Sequence, residues 1–325
     1  MTSNSTDLVP IVANRDLSVT NVPQSITVAG PAARFAWDEF FSGSIRNWHT
    51  RTAYLRAVRQ FLEWTTSRNI GFTDIQPGTV GSYIDQLSTS LPTKKLQLSA
   101  LRAFFNVCVN RHVLILNPAT TVRCERYQVV EGKTPEISRD HARRLLANID
   151  VTRAVGKRDK AIIATLIYTA ARAGAVASLR VRDLIWDGTQ YSLRFAEKGG
   201  KSRSIPVRHD LQIMLLDYLS CLGESPLKDS PLYRSVAGRA GNLTAKAIRG
   251  IDICRMMKRR LADSVLPTHL SPHSCRVATV TDLLNQGISL EDVQYLAGHS
   301  DPRTTRLYDR RQKQVTRNTV ERISI

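Results

Sequence analysis

Residues 161–170 are almost wholly apolar. A helix that is apolar on every side cannot lie on a surface, so other elements must wrap it. A membrane-spanning helix needs about 20 apolar residues, twice this length. The N-terminus has neither a basic segment leading into an apolar one nor a long apolar run, so neither a secretory signal nor a membrane partner is expected. The second half of the chain therefore reads as a packed domain built around one buried helix.

The elements around that helix follow from periodicity. Ser138 is placed to cap a preceding helix with the stripe Ala142, Leu145, Leu146. Beyond the buried helix come three strand patterns, at 183–186, 190–196 and 202–207. Asp187-Gly188 is a turn dipeptide between the first two. Tyr191, Leu193 and Phe195 alternate with smaller or polar residues, as in a half-buried strand. Lys198-Gly199-Gly200-Lys201 turns the chain into the third. From there the pattern reads as helical to the end.

The first half is helical from 31 to 127. Phe35, Phe40 and Phe41 open it. Tyr54, Val58, Phe61, Leu62 and Trp64 follow at helical spacing, then Val80, Tyr83, Ile84 and Leu87, then Leu98, Leu101, Phe104, Phe105 and Val109. These aromatics read as core. Asn117-Pro118 ends the run. Residues 1–30 are poor in charge, lack a sustained helical period and read as a mobile arm. Residues 128–136 read as a linker, with Glu131-Gly132-Lys133 its flexible part. The expected fold is mainly α with a small antiparallel β-sheet, in two domains, 31–127 and 137–325. A chain of 325 residues is long enough for both.

Charge narrows the function. Lys and Arg number 46 against 28 Asp and Glu, a formal charge of +18. A folded protein this basic meets a polyanion. The charge is also concentrated: residues 246–260 carry six basic groups and one acid, and 303–322 carry seven and two. Candidate phosphate contacts are Arg51, Arg56 and Arg59 on one helical face, Lys94 and Lys95 at a helix start, Lys201 and Arg203 at the strand turn, and Lys246 and Arg249. The five cysteines make no C-x-x-C pair and are odd in number, which fits a reducing cytoplasm and argues against a zinc site or disulfide framework. No phosphate-binding G-x-x-x-x-G-K-[ST] loop is present, so neither nucleotide cofactor nor metal is expected.

Five short stretches carry candidate chemistry. Arg172 directly follows the apolar helix; it either pairs with Asp183 or a backbone carbonyl, or clamps a phosphate. Lys198 and Lys201 each offer an ammonium at a glycine turn, and their spacing does not choose between them. Ser271-Pro272 reads as N-cap and first helical residue, which puts His273 and Arg276 on one face of a helix N-terminus, an end that attracts anions. By themselves the pair also reads as a capping histidine with a surface arginine. Ser289 and Asp292 form a capping pair, and Gly298 reads as the helix stop, which places His299 in a tight link. Asp301-Pro302 then starts a basic helical segment holding Tyr308, either an aromatic covering a helix edge or a nucleophile. A free tyrosine has a pKa near 10, so attack at neutral pH needs dense positive charge to stabilise the phenolate.

Taken in order, Arg172, Lys198 in Lys-Gly-Gly-Lys-x-Arg-x-x-Pro, His273-x-x-Arg276, Leu296-x-Gly-His299 and Tyr308 nine residues later resemble the tyrosine recombinase (phage integrase) family. The likeness extends over about residues 35–310 and includes Leu98-Ser99-Ala100-Leu101-Arg102 and Asn117-Pro118-Ala119. Two boxes depart from the family pattern: Ala175 stands where an acid is usual, and Cys275 and Val277 replace the leucine and second histidine of His-x-Leu-Arg-His. The resemblance implies a clamp on duplex DNA. Tyr308 would form a 3′-phosphotyrosyl link, Arg172 and Arg276 would hold the non-bridging oxygens, and His273 would take the tyrosine proton. His299 would hydrogen-bond the phosphate, and Lys198, preferred to Lys201 by the hairpin alignment, would protonate the leaving 5′-oxygen. The covalent link conserves the phosphodiester's energy without ATP or metal.

By the same resemblance the partners are duplex DNA with paired half-sites and three further copies of the chain in a synaptic tetramer, assembled from monomers or dimers. Accessory DNA-bending proteins are compatible with this, as is a cytoplasmic, nucleoid-associated enzyme of prokaryotic, phage or plasmid origin. Val320, Ile323 and Ile325 would anchor the tail on a neighbouring copy. Two other readings of the residues stand beside it. A type IB topoisomerase uses similar groups to relax DNA without a partner site. A non-catalytic regulator would use 289–311 as a helix-turn-helix unit.

Overall fold

The computed structural model describes residues 19, 21–125, 134–196, 202–223, 226–238 and 241–308. The chain divides into two compact units, 1–128 and 129–325.

The first unit is helical: α1 (Gln24–Val28), α2 (Pro31–Asp38), α3 (Trp48–Thr66), α4 (Pro77–Gln86) and α5 (Leu91–Asn110). The starts are local chemistry. Pro31 and Pro77 take the first helical position, where a missing N–H costs nothing. The Asn47 side chain caps α3 by accepting from the backbone N–H groups of His49 and Thr50 at 2.9 and 3.2 Å. α2 runs on through a wider turn, Glu39–Ser44, which delivers Phe40 and Phe41 to the core. There they meet Trp37, Phe61, Phe72, Phe104 and Phe105. Most of the rings pack tilted or edge to face, with Trp37 and Phe41 4.5 Å apart and Phe61 and Tyr83 5.0 Å apart, while Phe41 and Phe104 stack. Each fully buried ring stabilises the fold by roughly 1.5–3 kcal/mol. The aromatics are therefore core or packed against it, as their spacing predicts, except Phe35, which is 60% exposed with the Arg111 guanidinium over its ring. Asn117 closes the unit: its amide donates to the Arg102 carbonyl and the Asn106 side chain, and its oxygen accepts from Ala119 N–H.

One expectation fails in part, residues 1–18 and 20 lying outside the described residues. Residues 19 and 21–30 are not a mobile arm. Ile26 on α1 is fully buried, and Trp37 Nε1 donates to the Val19 carbonyl at 3.1 Å. A helix of five residues that buries one side chain, Ile26, is too short to show a period. The linker residues up to 133 lie outside the described residues.

The second unit begins with α6 (Arg139–Ala147), capped by Ser138 Oγ, which accepts from His141 N–H at 3.1 Å. α7 (Ala154–Thr169) is the buried helix. The short α8 (Ala173–Ser178) follows, then an antiparallel meander of β1 (Leu184–Trp186), β2 (Tyr191–Ala196) and β3 (Ser202–Pro206). Its register, with Leu193 opposite Leu184 and Ile205, sends Leu193, Phe195 and Ile205 into the core. Asp187 Oδ1 holds the first turn by accepting from Thr189 and Gln190 N–H. Helices α9 (His209–Leu219), α10 (Gly250–Asp263), α11 (Pro272–Asn285), α12 (Leu290–Ala297) and α13 (Pro302–Arg306) complete the unit.

The region after β3 is not wholly helical. β4 (Arg234–Ala237) and β5 (Asn242–Ala247) form a second antiparallel sheet. Gly238 and Gly241, both at positive φ, lie between them. Neither strand alternates in burial, so no period of two marks them in the sequence. The fold is thus mainly α with small antiparallel sheets. Asp159, fully buried on α7, ties the layers together: it accepts from Arg158 Nη2 at 2.6 Å and from Arg260 Nη2 of α10 at 2.8 Å. Arg158 also donates to the Arg234 carbonyl. A carboxylate this deep persists only when it is so paired.

Candidate active site

The buried helix ends abruptly. Ala170 has φ +50, a left-handed conformation that costs a non-glycine residue about 1–2 kcal/mol. The turn aims the Ala170 carbonyl inward and starts α8 with Arg172 as its N-cap. Arg172 is exposed, and its Nη1 donates to the Gly298 carbonyl at 3.3 Å. Asp183 is not its partner. That carboxylate accepts from Arg180 N–H at 2.9 Å and pairs with Arg194 at 3.5 Å. Ala175 lies in the same cleft as Arg172.

At the start of α11 the Ser271 N–H donates to Ser274 Oγ, and Pro272 takes the first helical position. His273 and Arg276 follow one turn apart. Arg276 is only 1% exposed, so it is not a surface arginine. Its Nη1 donates to the Ala170 carbonyl at 2.5 Å, while its buried Nη2 has no hydrogen-bond partner among the described residues. Burial, then the charge of Arg172, pushes the Arg276 guanidinium down to about 10; the Tyr308 hydroxyl opposes this and Arg203 adds to it. A buried guanidinium with a spare donor is a site prepared for an anion.

α12 is capped by Ser289 Oγ, which accepts from Asp292 N–H, and ends at Gly298 with φ +62. That left-handed turn puts His299 inside, 6% exposed, with Nδ1 2.9 Å from Thr305 Oγ1 of α13. Gln294 Nε2 holds the His299 carbonyl at 2.9 Å. Burial first, then Arg276, Arg172, His273 and Arg203, pushes His299 down to about 3, so its ring is neutral. Asp301 Oδ1 caps α13 by accepting from Arg303 N–H.

Tyr308 stands two residues beyond α13 rather than inside a helix, its N–H donating to the Thr305 carbonyl at 3.0 Å. It is 8% exposed and packs among Ala170, Val277, Val280, Leu284, Val293 and Ala297. Its ring stacks on His299 at 5.7 Å with 4° between the planes. Its hydroxyl lies 3.2 Å from His273 Nε2. Burial and then the charges of Arg276 and Arg172 hold His273 below the usual histidine range. His273, in contact with the hydroxyl, is thus a neutral acceptor at neutral pH.

Arg203, expected at the DNA surface, is buried instead. It projects from β3 against the Phe195 ring, with its carbon 5.3 Å from the ring centre, and donates to the Tyr295 carbonyl at 3.4 Å. With Arg172, His299 and Ser300 it lines an open cleft of about 1170 Å³. Its neighbours come from β2 and α12, which sequence spacing cannot bring together. Thr305 was also not singled out by sequence, though it follows the capping dipeptide by a fixed interval. Lys198 and Lys201 lie outside the described residues; the flanking pair is Ala196 opposite Ser202.

The remaining basic candidates differ among themselves. Arg56 is exposed. Arg51 is half-buried and donates to the Ile45 carbonyl through Nε and Nη2. Lys94 Nζ reaches the Asp85 carbonyl at 3.5 Å, and Lys95 shares a groove with Arg102 and Arg123. Lys246 and Arg249 share another with Arg255 and Arg259, and Arg249 grips Asp252 through two nitrogens at 2.7 and 3.2 Å. Arg59 corrects the reading of a basic face. It is 8% exposed, hydrogen-bonds the Asn21 carbonyl and sits 5.9 Å over the Trp37 ring. Arg59→Ala is expected to lower unfolding free energy by about 1–3 kcal/mol through lost packing and a stranded carbonyl. The salt dependence of DNA binding is expected not to change, and a slope reduced by about one would restore Arg59 as a phosphate contact.

Comparison with known proteins places this constellation. The phage integrase family matches residues 136–315, and the phage integrase N-terminal SAM-like domain matches residues 44–112. The chain belongs to the phage integrase family. Among its relatives, tyrosine recombinase XerC of Bacillus subtilis (strain 168) is 30% identical over 282 residues, covering 83% of this integrase and 88% of the relative. Tyrosine recombinase XerD of Shewanella oneidensis is 26% identical over 286 residues, covering 83% and 89%. The fold of this integrase is shared with the XerH site-specific recombinase bound to difH substrate, at TM-score 0.66 and 16% identity over 92% and 91% of the two chains. It is also shared with a lambda integrase dimer bound to a COC' core site, at TM-score 0.64 and 16% identity over 87% and 77%. No helix among the described residues of this integrase is long and apolar enough to cross a membrane.

Proposed function

We propose that this tyrosine recombinase cuts and rejoins duplex DNA at specific sites by using Tyr308 as the nucleophile. The observation that carries the reading is the Tyr308 hydroxyl 3.2 Å from His273 Nε2, beside a buried Arg276 whose Nη2 has no partner among the described residues. The tyrosine oxygen attacks phosphorus and His273 takes its proton. The bond from phosphorus to the 5′-oxygen breaks, leaving a 3′-phosphotyrosyl link, and Lys198 protonates the departing oxygen. Arg172 and Arg276 hold the non-bridging oxygens, where negative charge builds. A 5′-hydroxyl from a second duplex reverses the step. The basic grooves at Lys95–Arg102–Arg123 and Lys246–Arg255–Arg259 hold phosphates along the duplex. Residues 31–127 form the core-binding domain and 137–325 the catalytic one. Four copies on paired half-sites carry out exchange for a mobile element or replicon, with or without DNA-bending partners.

The deciding experiment incubates the protein with supercoiled plasmid carrying DNA from around its own gene, followed by a detergent quench. A protein–DNA adduct at one mapped position is expected. Tight, specific binding without any adduct, even on nicked substrates, would turn the reading to a DNA-binding regulator.

The depressed His273 sets the pH profile. A base must be neutral to accept the tyrosine proton, and a pKa held below the ordinary value keeps it neutral to lower pH. At pH about 6.5, where an ordinary histidine is half protonated, single-turnover cleavage is expected to remain above half its plateau and to fall only under more acid conditions. A one-proton midpoint at or above that pH would remove His273 as the base.

A further inference from the structure

The neutral ring of His299 has two nitrogens and one proton, and which nitrogen carries it decides what the ring can do for an anion. Nδ1 lies 2.9 Å from Thr305 Oγ1. Thr305 is fully buried, and among the described residues its hydroxyl hydrogen-bonds only that nitrogen. If Nδ1 carried the proton and donated it, the Thr305 hydroxyl proton would be left without an acceptor, at a cost of about 1–3 kcal/mol. If the hydroxyl donates to Nδ1, both groups are satisfied and the ring proton sits on Nε2.

We propose that Thr305 is a positioning residue that fixes His299 as the Nε2–H tautomer, so that an uncharged imidazole presents a donor to the scissile phosphate. The inference deepens the recombinase reading and rests on it only for the identity of the anion. Thr305 lies one turn inside α13, whose start is fixed by Asp301 and whose end leads to Tyr308. The hydroxyl that orients the histidine and the chain that carries the tyrosine are therefore parts of one short element. The stacked rings of His299 and Tyr308 follow from the same arrangement. A neutral donor suits this position: Arg276, Arg172 and Arg203 all act on His299 by repulsion, so a fourth full charge there is unfavourable.

The test uses the full chain labelled with ¹⁵N-histidine, without DNA, and Thr305→Val and Thr305→Ser variants. Long-range ¹H–¹⁵N spectra of the wild type are expected to show His299 protonated on Nε2, with an Nδ1 resonance that moves in Thr305→Val. On a nicked suicide duplex, Thr305→Val is expected to cleave roughly 10- to 100-fold more slowly, as happens when a residue orienting a histidine is lost, with duplex binding unchanged. Thr305→Ser keeps the hydroxyl and loses the methyl group, and is expected to cleave within about threefold of wild type, which separates hydrogen bonding from packing. A wild-type His299 protonated on Nδ1 overturns the inference, and so does a Thr305→Val protein that cleaves at the wild-type rate. The spectrum decides the tautomer even if wild type forms no adduct, so failure of the recombinase reading and failure of this one are distinguishable.

Discussion

Replacing Tyr308 with phenylalanine is expected to abolish covalent attachment to DNA and to leave both the fold and duplex binding in place. The ring is what the structure uses: at 8% exposure it fills the space among Val277, Val280, Leu284 and Val293, and phenylalanine fills the same volume. The hydroxyl is what the chemistry uses. Its removal deletes one hydrogen bond to His273, worth about 0.5–1.5 kcal/mol of stability, yet it removes the only oxygen on that side chain able to attack phosphorus. Detergent-resistant adducts should be absent, while mobility-shift affinity should change by less than about threefold. The melting temperature should move by only a few degrees. An adduct that persists in Tyr308→Phe would place the nucleophile elsewhere and leave the His273 contact without a catalytic meaning.

The candidate site was legible from the sequence wherever its members are fixed by short-range rules. Ser271-Pro272 puts His273 and Arg276 one turn apart, Gly298 stops α12 before His299, and Asp301-Pro302 starts the helix that leads to Tyr308. Each follows from capping chemistry within a few residues. What escaped depends on contacts between distant segments. Arg172 and Gly298 meet across 126 positions, so of the two partners the sequence offers, Asp183 or a backbone carbonyl, it is the carbonyl, and nothing local says which one. Arg59 and Arg203 look like any surface arginine until Trp37 and Asn21 in one case, and Phe195 and Tyr295 in the other, close over them. Burial of a long basic side chain is set by what packs on its stem, and no spacing encodes that. The β4–β5 hairpin escaped for a different reason: it lacks a buried face, so it leaves no alternation to read.

Arg276 carries the second large effect, in which stability and activity are expected to separate. Arg276→Met keeps an unbranched stem in the same space and removes a cation that is 1% exposed, repelled by Arg172 and Arg203, and without a partner for Nη2 among the described residues. Breaking its bond to Ala170 leaves a carbonyl behind at about 1–3 kcal/mol, but the desolvation of the guanidinium, several kcal/mol for a buried ion, is relieved. The DNA-free melting temperature is therefore expected to hold or rise. Cleavage is expected to fall at least about 10²–10³-fold, the usual loss when a donor aimed at developing charge is removed. Arg276→Lys should not rescue it, because an ammonium cannot bond the Ala170 carbonyl and a phosphate oxygen in the planar fork of a guanidinium. Arg276→Met also removes the second-largest influence depressing both His273 and His299, so both pKa values should rise and the acid limb of any residual cleavage should shift toward neutral pH. Calorimetry without DNA and single-turnover cleavage across pH, run on the same preparations, decide the matter. A variant that melts far below wild type yet cleaves normally would make Arg276 a structural arginine.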